Sequence, residues 1–479
     1  MSVAICCRNA SPDGRCKGSD GAAPSEAIPM IERMLNESIN GLSPKVPFQP
    51  EDAASVARLI LDSMKTSGRV YHNMQHVFDI SKTMKDPILE LSALFHDVIY
   101  YSIDKSFQGE QAKALEGVVL GVDGSHGQPQ ELILALEFED PIAELVVRLY
   151  GFEPGKPLPK LGTNEFLSAV IGVRVLEKWL SVPQLMQIAT CIEATIPFRP
   201  ISEDGKTPMD RLYDRLKLVC PDQSEEWLVH TVRMAAVTAN CDLCSFDSND
   251  RDFFLDSSWK LIPEARPVLL EEDCPLMEYY NECFALEGRT KFLKGAVPKI
   301  FQSFRQAPSD EEMAAKQAKT HENLKVMSEY ALVRMLQLMV LVEFVKVMGE
   351  DPASIPLRPL LRMTLPEVTS PTAENESPMG LTAEEQAEVR NWLVCGRRAC
   401  FSWDPAISPL GAYLYDSLGP KGIASAVEVG KNQKPGSHEL LKVLPKDVVT
   451  TIASSLGAVL PDRAEKFSQV PEKLGILAQ

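Results

Sequence analysis

The chain has little of what marks several common classes of protein. Its most apolar stretch, Met335–Val342, falls far short of the roughly 20 residues a membrane-spanning helix needs, so no membrane association is expected. Basic residues are not in excess: 49 Lys and Arg against 66 Asp and Glu leave a formal net charge of −17. Affinity for a phosphate backbone comes largely from clustered Lys and Arg that release counterions, so no nucleic-acid partner is expected. The 11 cysteines are odd in number and irregularly spaced, unlike a secreted disulfide framework, and a reducing cytoplasmic setting is expected. Cys6, Cys7 and Cys16 lie among small and polar residues without the basic start and apolar core of a secretory signal, and residues 1–25 are expected to be disordered. Strand-like alternation is scarce as well. Helical periodicity with end signals recurs from about Glu51 onward, which predicts an all-α fold.

What is present suggests one large helical domain and a C-terminal extension, since 479 residues is long for one compact domain. Asp86 and Pro87 read as an N-cap and a first-turn proline, and Ile88, Leu91, Phe95 and Val98 mark the apolar stripe of the helix that follows. Further helices are predicted over about 51–66, 72–84, 107–120, 128–150, 164–180, 183–196, 207–219, 224–246 and 268–305. The main domain is placed at 26–308. No Gly or Pro interrupts Ser309–Met348, and Ser309 with Glu312 reads as a capping box, so 309–349 is predicted to be one long helix. Its second half is apolar nearly all round and is expected to pack against the domain or to join two copies of the chain as a homodimer. Prolines at 352, 356, 359, 366, 371 and 378 mark 350–380 as a linker or an extended wrap. Thr382 and Glu385 restart a helix, and 381–479 is a helical region without a constellation that converts into chemistry.

Histidine is scarce too, and its placement is the first chemical clue. Of 7 in the chain, His72, His76 and His96 fall within 25 positions. In Arg69-Val70-Tyr71-His72-Asn73-Met74-Gln75-His76 two histidines stand four apart, which on a helix puts them on one face. Alone, such a pair is most simply two exposed helix histidines. His96 and Asp97, however, interrupt Leu91–Tyr100, a run otherwise made almost entirely of residues of the buried type. A buried carboxylate beside a buried imidazole needs compensation, which a hydrogen bond between helices or a bound cation supplies. Asp242 lies on the apolar face of Met234–Leu243, in line with Ala235 and Ala239, where the alternative to a ligand is a partner for a buried Lys or Arg. Cys241 and Cys244 are a lone Cys-x-x-Cys within a helix and read as packing residues. Arg199, Lys206, Arg211 and Arg215 read as a solvated charged face, the alternative being a positive rim for an anionic substrate.

The order Tyr-His-Asn-x-x-His, then Phe-His-Asp, then a distant Asp in a helix resembles the HD superfamily of metal-dependent phosphohydrolases. Its wording is closest to the cyclic nucleotide phosphodiesterases and related bacterial HD hydrolases. The resemblance covers about residues 50–305 and implies a phosphodiesterase-like helical bundle. It implies that His76, His96, Asp97 and Asp242 hold one or two divalent ions (Zn, Mn, Mg or Fe), and that His72 is the general acid. Glu110 then falls where relatives carry an acid beside the metal's water network, and Thr195 lies in the stretch matching their Leu-Ala-Thr-Asp helix. Asn73 belongs to the matched segment, and Arg69 is close enough in sequence to contact phosphate, although a helix-start arginine would ordinarily be exposed. The implied activity is hydrolysis of a small phosphorylated substrate, a nucleotide or cyclic nucleotide. Ile196 stands where the phosphodiesterases have Asp, Ala239 or Asn240 where they have His, and only Gln302 is available as a loose match for a base-gripping glutamine. Those departures motivate a second possibility, a metal-binding regulatory module that has lost turnover.

Overall fold

The computed structural model describes residues 24–66, 68–121, 131–368, 376–398, 404 and 407–476. Residues 1–23, most of the segment expected to be disordered, lie outside the described residues, as do 369–375 of the proline-rich stretch. The described chain is mostly helical. Its one sheet among the described residues is an antiparallel pair of two-residue strands, β1 (Val119–Leu120) and β2 (Ile133–Leu134).

The chain divides into two compact units. Among the described residues, one comprises those within 24–247 and 296–319, the other those within 248–295 and 320–476. The boundary differs from the expected domain at 26–308, because 248–295 belongs with the C-terminal residues rather than with the histidine-bearing helices.

The first unit contains α1 (Pro24–Gly41), α2 (Pro50–Ser63), α3 (Met74–Ser81), α4 (Pro87–Phe95), α5 (Tyr101–Asp104), α6 (Gly109–Leu115), α7 (Pro141–Tyr150), α8 (Thr163–Leu176), α9 (Val182–Ala194), α10 (Pro208–Val219) and α11 (Glu225–Asp242). Many starts follow the expected grammar. Asp86 accepts from the Ile88 amide at 2.8 Å with Pro87 in the first turn of α4, and Thr207 and Asp210 form a capping box on α10. α9 is central, packing against α4, α8 and α11, with Leu185, Ile188, Ala189 and Ile192 fully buried. One close approach sets the site: a Cβ on Gly172 of α8 would lie 3.3 Å from Phe95, so the glycine lets the residue before His96 seat tightly against α8.

Three predicted helices are much shorter than expected, among them the one placed at 268–305, which is α-helical over Leu276–Ala296 between two 3-10 turns. The helix placed at 107–120 ends at Leu115, after which Gly117 takes a left-handed φ of 73° and the chain enters β1. The one placed at 128–150 begins only at Pro141, capped by Asp140, because Ile133–Leu134 pairs as strand.

The second unit contains α12 (Arg251–Ala265), α13 (Leu276–Ala296), most of α14 (Asp310–Val347), α15 (Leu357–Leu361), α16 (Ala383–Cys395), α17 (Pro409–Asn432), α18 (Glu439–Val443), α19 (Lys446–Val459), α20 (Ala464–Ser468) and α21 (Val470–Lys473). α14 is the predicted long helix, opened by the Ser309–Glu312 capping box. Its apolar second half is covered within the chain, Val333, Leu336, Leu338 and Val340 being fully buried, as expected of packing against the chain's own helices. The described part of the proline-rich stretch up to Met363 is a folded wrap: Leu357, Leu360, Leu361 and Met363 are buried, and Leu357 N donates to Cys274 O at 2.9 Å. Arg334 of α14 donates to Asp404 at 2.6 Å and Arg397 to the same carboxylate at 2.7 Å, both arginines and the aspartate being almost wholly buried. No described helix is long and apolar enough to cross a membrane.

Candidate metal centre

Three separated elements deliver four side chains to one point in the first unit. His76 enters from the first turn of α3, whose N-cap is Asn73: its side-chain oxygen accepts from the amides of Gln75 at 2.9 Å and His76 at 3.4 Å. His96 and Asp97 follow directly on the last turn of α4, with His96 N still bonded to Ser92 O at 2.9 Å. Asp242 ends α11. His76 Nε2 lies 3.0 Å from Asp242 Oδ1 and 3.9 Å from Asp97 Oδ2, while His96 Nε2 lies 3.0 Å from Asp97 Oδ2 and 3.5 Å from Asp242 Oδ1.

The His96 tautomer follows from its other nitrogen. Nδ1 lies 2.8 Å from the Ala93 carbonyl, which can only accept, so Nδ1 carries a proton and a neutral ring turns the Nε2 lone pair inward. Despite their 3.0 Å separation, His96 Nε2 and Asp97 Oδ2 are not aligned as a hydrogen bond, and both are buried without a hydrogen-bond partner. Two such atoms aimed at one point call for a cation. The spacing fits one, since ligands held about 2.1 Å from an ion stand about 3.0 Å apart at right angles and about 3.4 Å apart at tetrahedral angles. The buried His76–His96–Asp97 group could therefore hold a metal ion.

Electrostatics lead the same way. Burial disfavours the charged form of His96, but Asp97 and Asp242 outweigh it and raise its pKa well above the ordinary imidazole value. Burial also opposes ionisation of Asp97 and Asp242, yet the neighbouring histidines hold both carboxyls below the usual carboxylate range. In the metal-free chain a proton on His96 supplies the positive charge that the two carboxylates demand. A cation would take over that role and release the proton.

The remaining predicted residues fall in different places. His72 precedes α3 instead of sharing a helix face with His76, because Asn73 is the cap and the helix starts after it. Its ring is half-buried, 4.2 Å from the Tyr100 ring and 6.1 Å from that of His76 between centroids, close to the metal group without joining it. Asn73 is accounted for as that cap, with Nδ2 donating to Val70 O at 2.7 Å. Arg69 is neither exposed nor free to reach a phosphate. It is buried, pairs with Asp104 through Nε at 2.9 Å and through Nη2, and donates from Nη1 to the Asp97 carbonyl at 2.5 Å and the His72 carbonyl at 3.5 Å. It thus fixes the backbone under both the ligand and the neighbouring histidine. Glu110 is exposed in the first turn of α6 and makes no hydrogen bond to the four converging residues; Gln111 beside it is the buried one, donating to Val98 O at 2.9 Å. Thr195 caps the end of α9 and bonds back to Ile192 O at 2.8 Å, which is a structural role. Gln302 is tied by its backbone to the Asn240 amide at 2.7 and 2.8 Å. Cys241 and Cys244 are free thiols whose pKa values burial raises, unlike zinc thiolates.

Sequence reasoning passed over Glu165. It stands in the first turn of α8, where an acid ordinarily complements the helix dipole, so nothing in the sequence set it apart. Burial is the main reason its carboxyl is pushed up to about 7, with the negative charges of Asp97 and Asp242 adding to the effect. The helix that carries it also braces the loop after Asp97: Asn164 Oδ1 accepts from Tyr101 N at 2.9 Å and Ser168 Oγ from Ile99 N at 3.1 Å.

Compared with known proteins, the chain matches no family model, no curated protein and no solved structure.

Proposed function

We propose that the chain is a metal-dependent phosphohydrolase of the HD type, acting on a small phosphate ester such as a nucleotide or cyclic nucleotide. The observation that carries this reading is the convergence of His76, His96, Asp97 and Asp242, with His96 Nε2 and Asp97 Oδ2 buried and without hydrogen-bond partners. A divalent ion held there supplies Lewis acidity that polarises a phosphoryl group and lowers the pKa of water. The chain's own residues divide the remaining tasks. Asp97 and Asp242 carry the negative charge that retains the cation, and the two imidazoles add neutral nitrogen donors. Arg69 keeps Asp97 and His72 in register by holding both carbonyls. His72, outside the ligand group and partly open to solvent, donates a proton to the departing oxygen.

The test is hydrolysis of bis-p-nitrophenyl phosphate by the purified full chain with Mn added. Turnover by the wild type and its loss in His76→Ala support the reading. Tight metal binding without turnover on any of a panel of cyclic and linear nucleotides favours the second reading, a metal-binding regulatory module. The exposed position of Glu110 favours that alternative, because it leaves the metal ligands without the neighbouring acid the resemblance implies.

A further inference from the structure

Arg199 and Arg215 do not form the solvated face that their spacing suggested. Both converge on Glu193 near the end of α9: Arg199 Nη1 donates to Oε1 at 2.6 Å, and Arg215 Nη2 donates to the same oxygen. The three side chains are 11%, 24% and 2% exposed in the order Arg199, Arg215, Glu193. Lys206 and Arg211 do face solvent and are otherwise engaged, Lys206 with Asp214 at 2.8 Å and Arg211 with the carbonyls of Lys206 and Pro200 at 2.9 and 3.0 Å.

Three features set this cluster apart from a bridge that merely ties helices together. Two guanidiniums share one carboxylate, so one positive charge is left over in a mostly buried place, which is costly unless an anion answers it. Arg199 Nε is buried without a hydrogen-bond partner, so a donor of the cluster is left over for an anion, while the equally unpartnered Glu193 Oε2 would face away from one. Phe198, directly before Arg199, has a left-handed φ of 56°, a conformation costly for a bulky residue and one that recurs at ligand clamps.

Its position connects it with the metal group. Tyr150 senses the charges of Glu193, Arg199 and Arg215, and its hydroxyl donates to the Glu165 carbonyl at 2.9 Å. Glu165 in turn lies in the field of Arg199 and in that of Asp97 and Asp242. Arg215 Nε also donates to Leu149 O at 2.5 Å, which fixes its fork over the end of α7.

The geometry points to Arg199 and Arg215 as a subsite for a second phosphoryl group of the substrate, apart from the one at the metal. Planar guanidiniums suit phosphate oxygens, and a fixed pair needs little reorganisation to receive one. This inference rests on the phosphohydrolase reading for the word substrate, but its test does not depend on turnover or on metal. Inorganic pyrophosphate is titrated calorimetrically into the full chain after EDTA treatment, with wild type, Arg199→Gln, Arg199→Lys and Arg215→Gln compared.

Wild-type binding, weakened about tenfold or more in Arg199→Gln and Arg215→Gln and partly restored in Arg199→Lys, is the expected result, in keeping with loss of a charge-assisted hydrogen bond. Absence of binding to the wild type, or equal affinity in all four proteins, overturns the subsite. If Arg199→Gln does not fold, as judged by its thermal melt, Arg199→Lys and Arg215→Gln decide on the same criterion. Pyrophosphate binding that follows this pattern in a protein with no phosphatase activity would leave the subsite standing and remove the hydrolase reading instead.

Discussion

His96 presents an N–H to a backbone carbonyl on one edge of its ring and Nε2 to two carboxylates on the other, and the proton that Nε2 takes up in the metal-free chain gives the site its pH dependence. Its pKa is raised in the folded metal-free chain, so it contributes stability that is full below the unfolded imidazole value of about 6.5 and is lost as pH rises through the folded value. Asp97 and Asp242 run the other way: their folded values are lowered, so their contribution is present above about 3.9 and is lost as pH falls through the folded values. The EDTA-treated chain is therefore expected to lose melting temperature between pH 6.5 and 9, and added Mn or Zn is expected to remove much of that loss by replacing the proton; thermal melts across this range check it. Glu165 gives a second residue-scale outcome. A carboxyl raised to about 7 favours the fold below 4.5 and disfavours it above 7, so Glu165→Gln should gain about 1–2 kcal/mol at pH 8 relative to pH 5 in urea unfolding.

At the scale of elements, the site depends on how α3 and α4 begin and end. Asn73→Ala removes the cap of the helix that presents His76 and is expected to cost about 1 kcal/mol in urea unfolding. Arg69→Ala strips the buried Asp104 carboxylate of its cationic partner, leaving the Thr66 hydroxyl and the Tyr100 amide, and frees the Asp97 carbonyl; about 3–5 kcal/mol of stability and a 10–100-fold loss of metal affinity are expected, measured by unfolding and by metal titration. Arg69→Lys should recover only part of both, since an ammonium cannot span Asp104 and the carbonyl as a planar fork does. Sequence patterns carried much of this: Asp86-Pro87, Ser309 with Glu312 and the His96-Asp97 interruption were all readable, because each is a local departure from a regular helix. Arg69 was not readable, because its partners Asp104 and Asp97 lie 35 and 28 residues away and spacing says nothing about which loop a fork will reach. His72 was misplaced for a related reason, since a four-residue spacing is compatible with a helix but does not require one, and the Asn73 cap settles the matter. α1, β1, β2 and α12 went unseen: the two-residue strands carry little periodic signal, and Pro29 inside α1 and Pro263 inside α12 are anti-helical ones.

Across the whole chain, the four candidate ligands belong to one compact unit, and the other holds no comparable His and Asp group among its described residues. Asp404→Ala in that other unit would leave the buried Arg334 and Arg397 without their carboxylate and is expected to cost about 3–5 kcal/mol in unfolding experiments. Metal content per folded chain should stay the same, because the ligands lie elsewhere in the sequence and in another unit. The most direct measurement of the central claim is X-ray absorption on the full chain reloaded with Zn after EDTA treatment. One or two ions per chain, with nitrogen and oxygen ligands at about 2.0–2.2 Å in the wild type and loss of tight binding in His96→Ala, is the expected result. A wild-type chain that takes up no more ion than His96→Ala would contradict it.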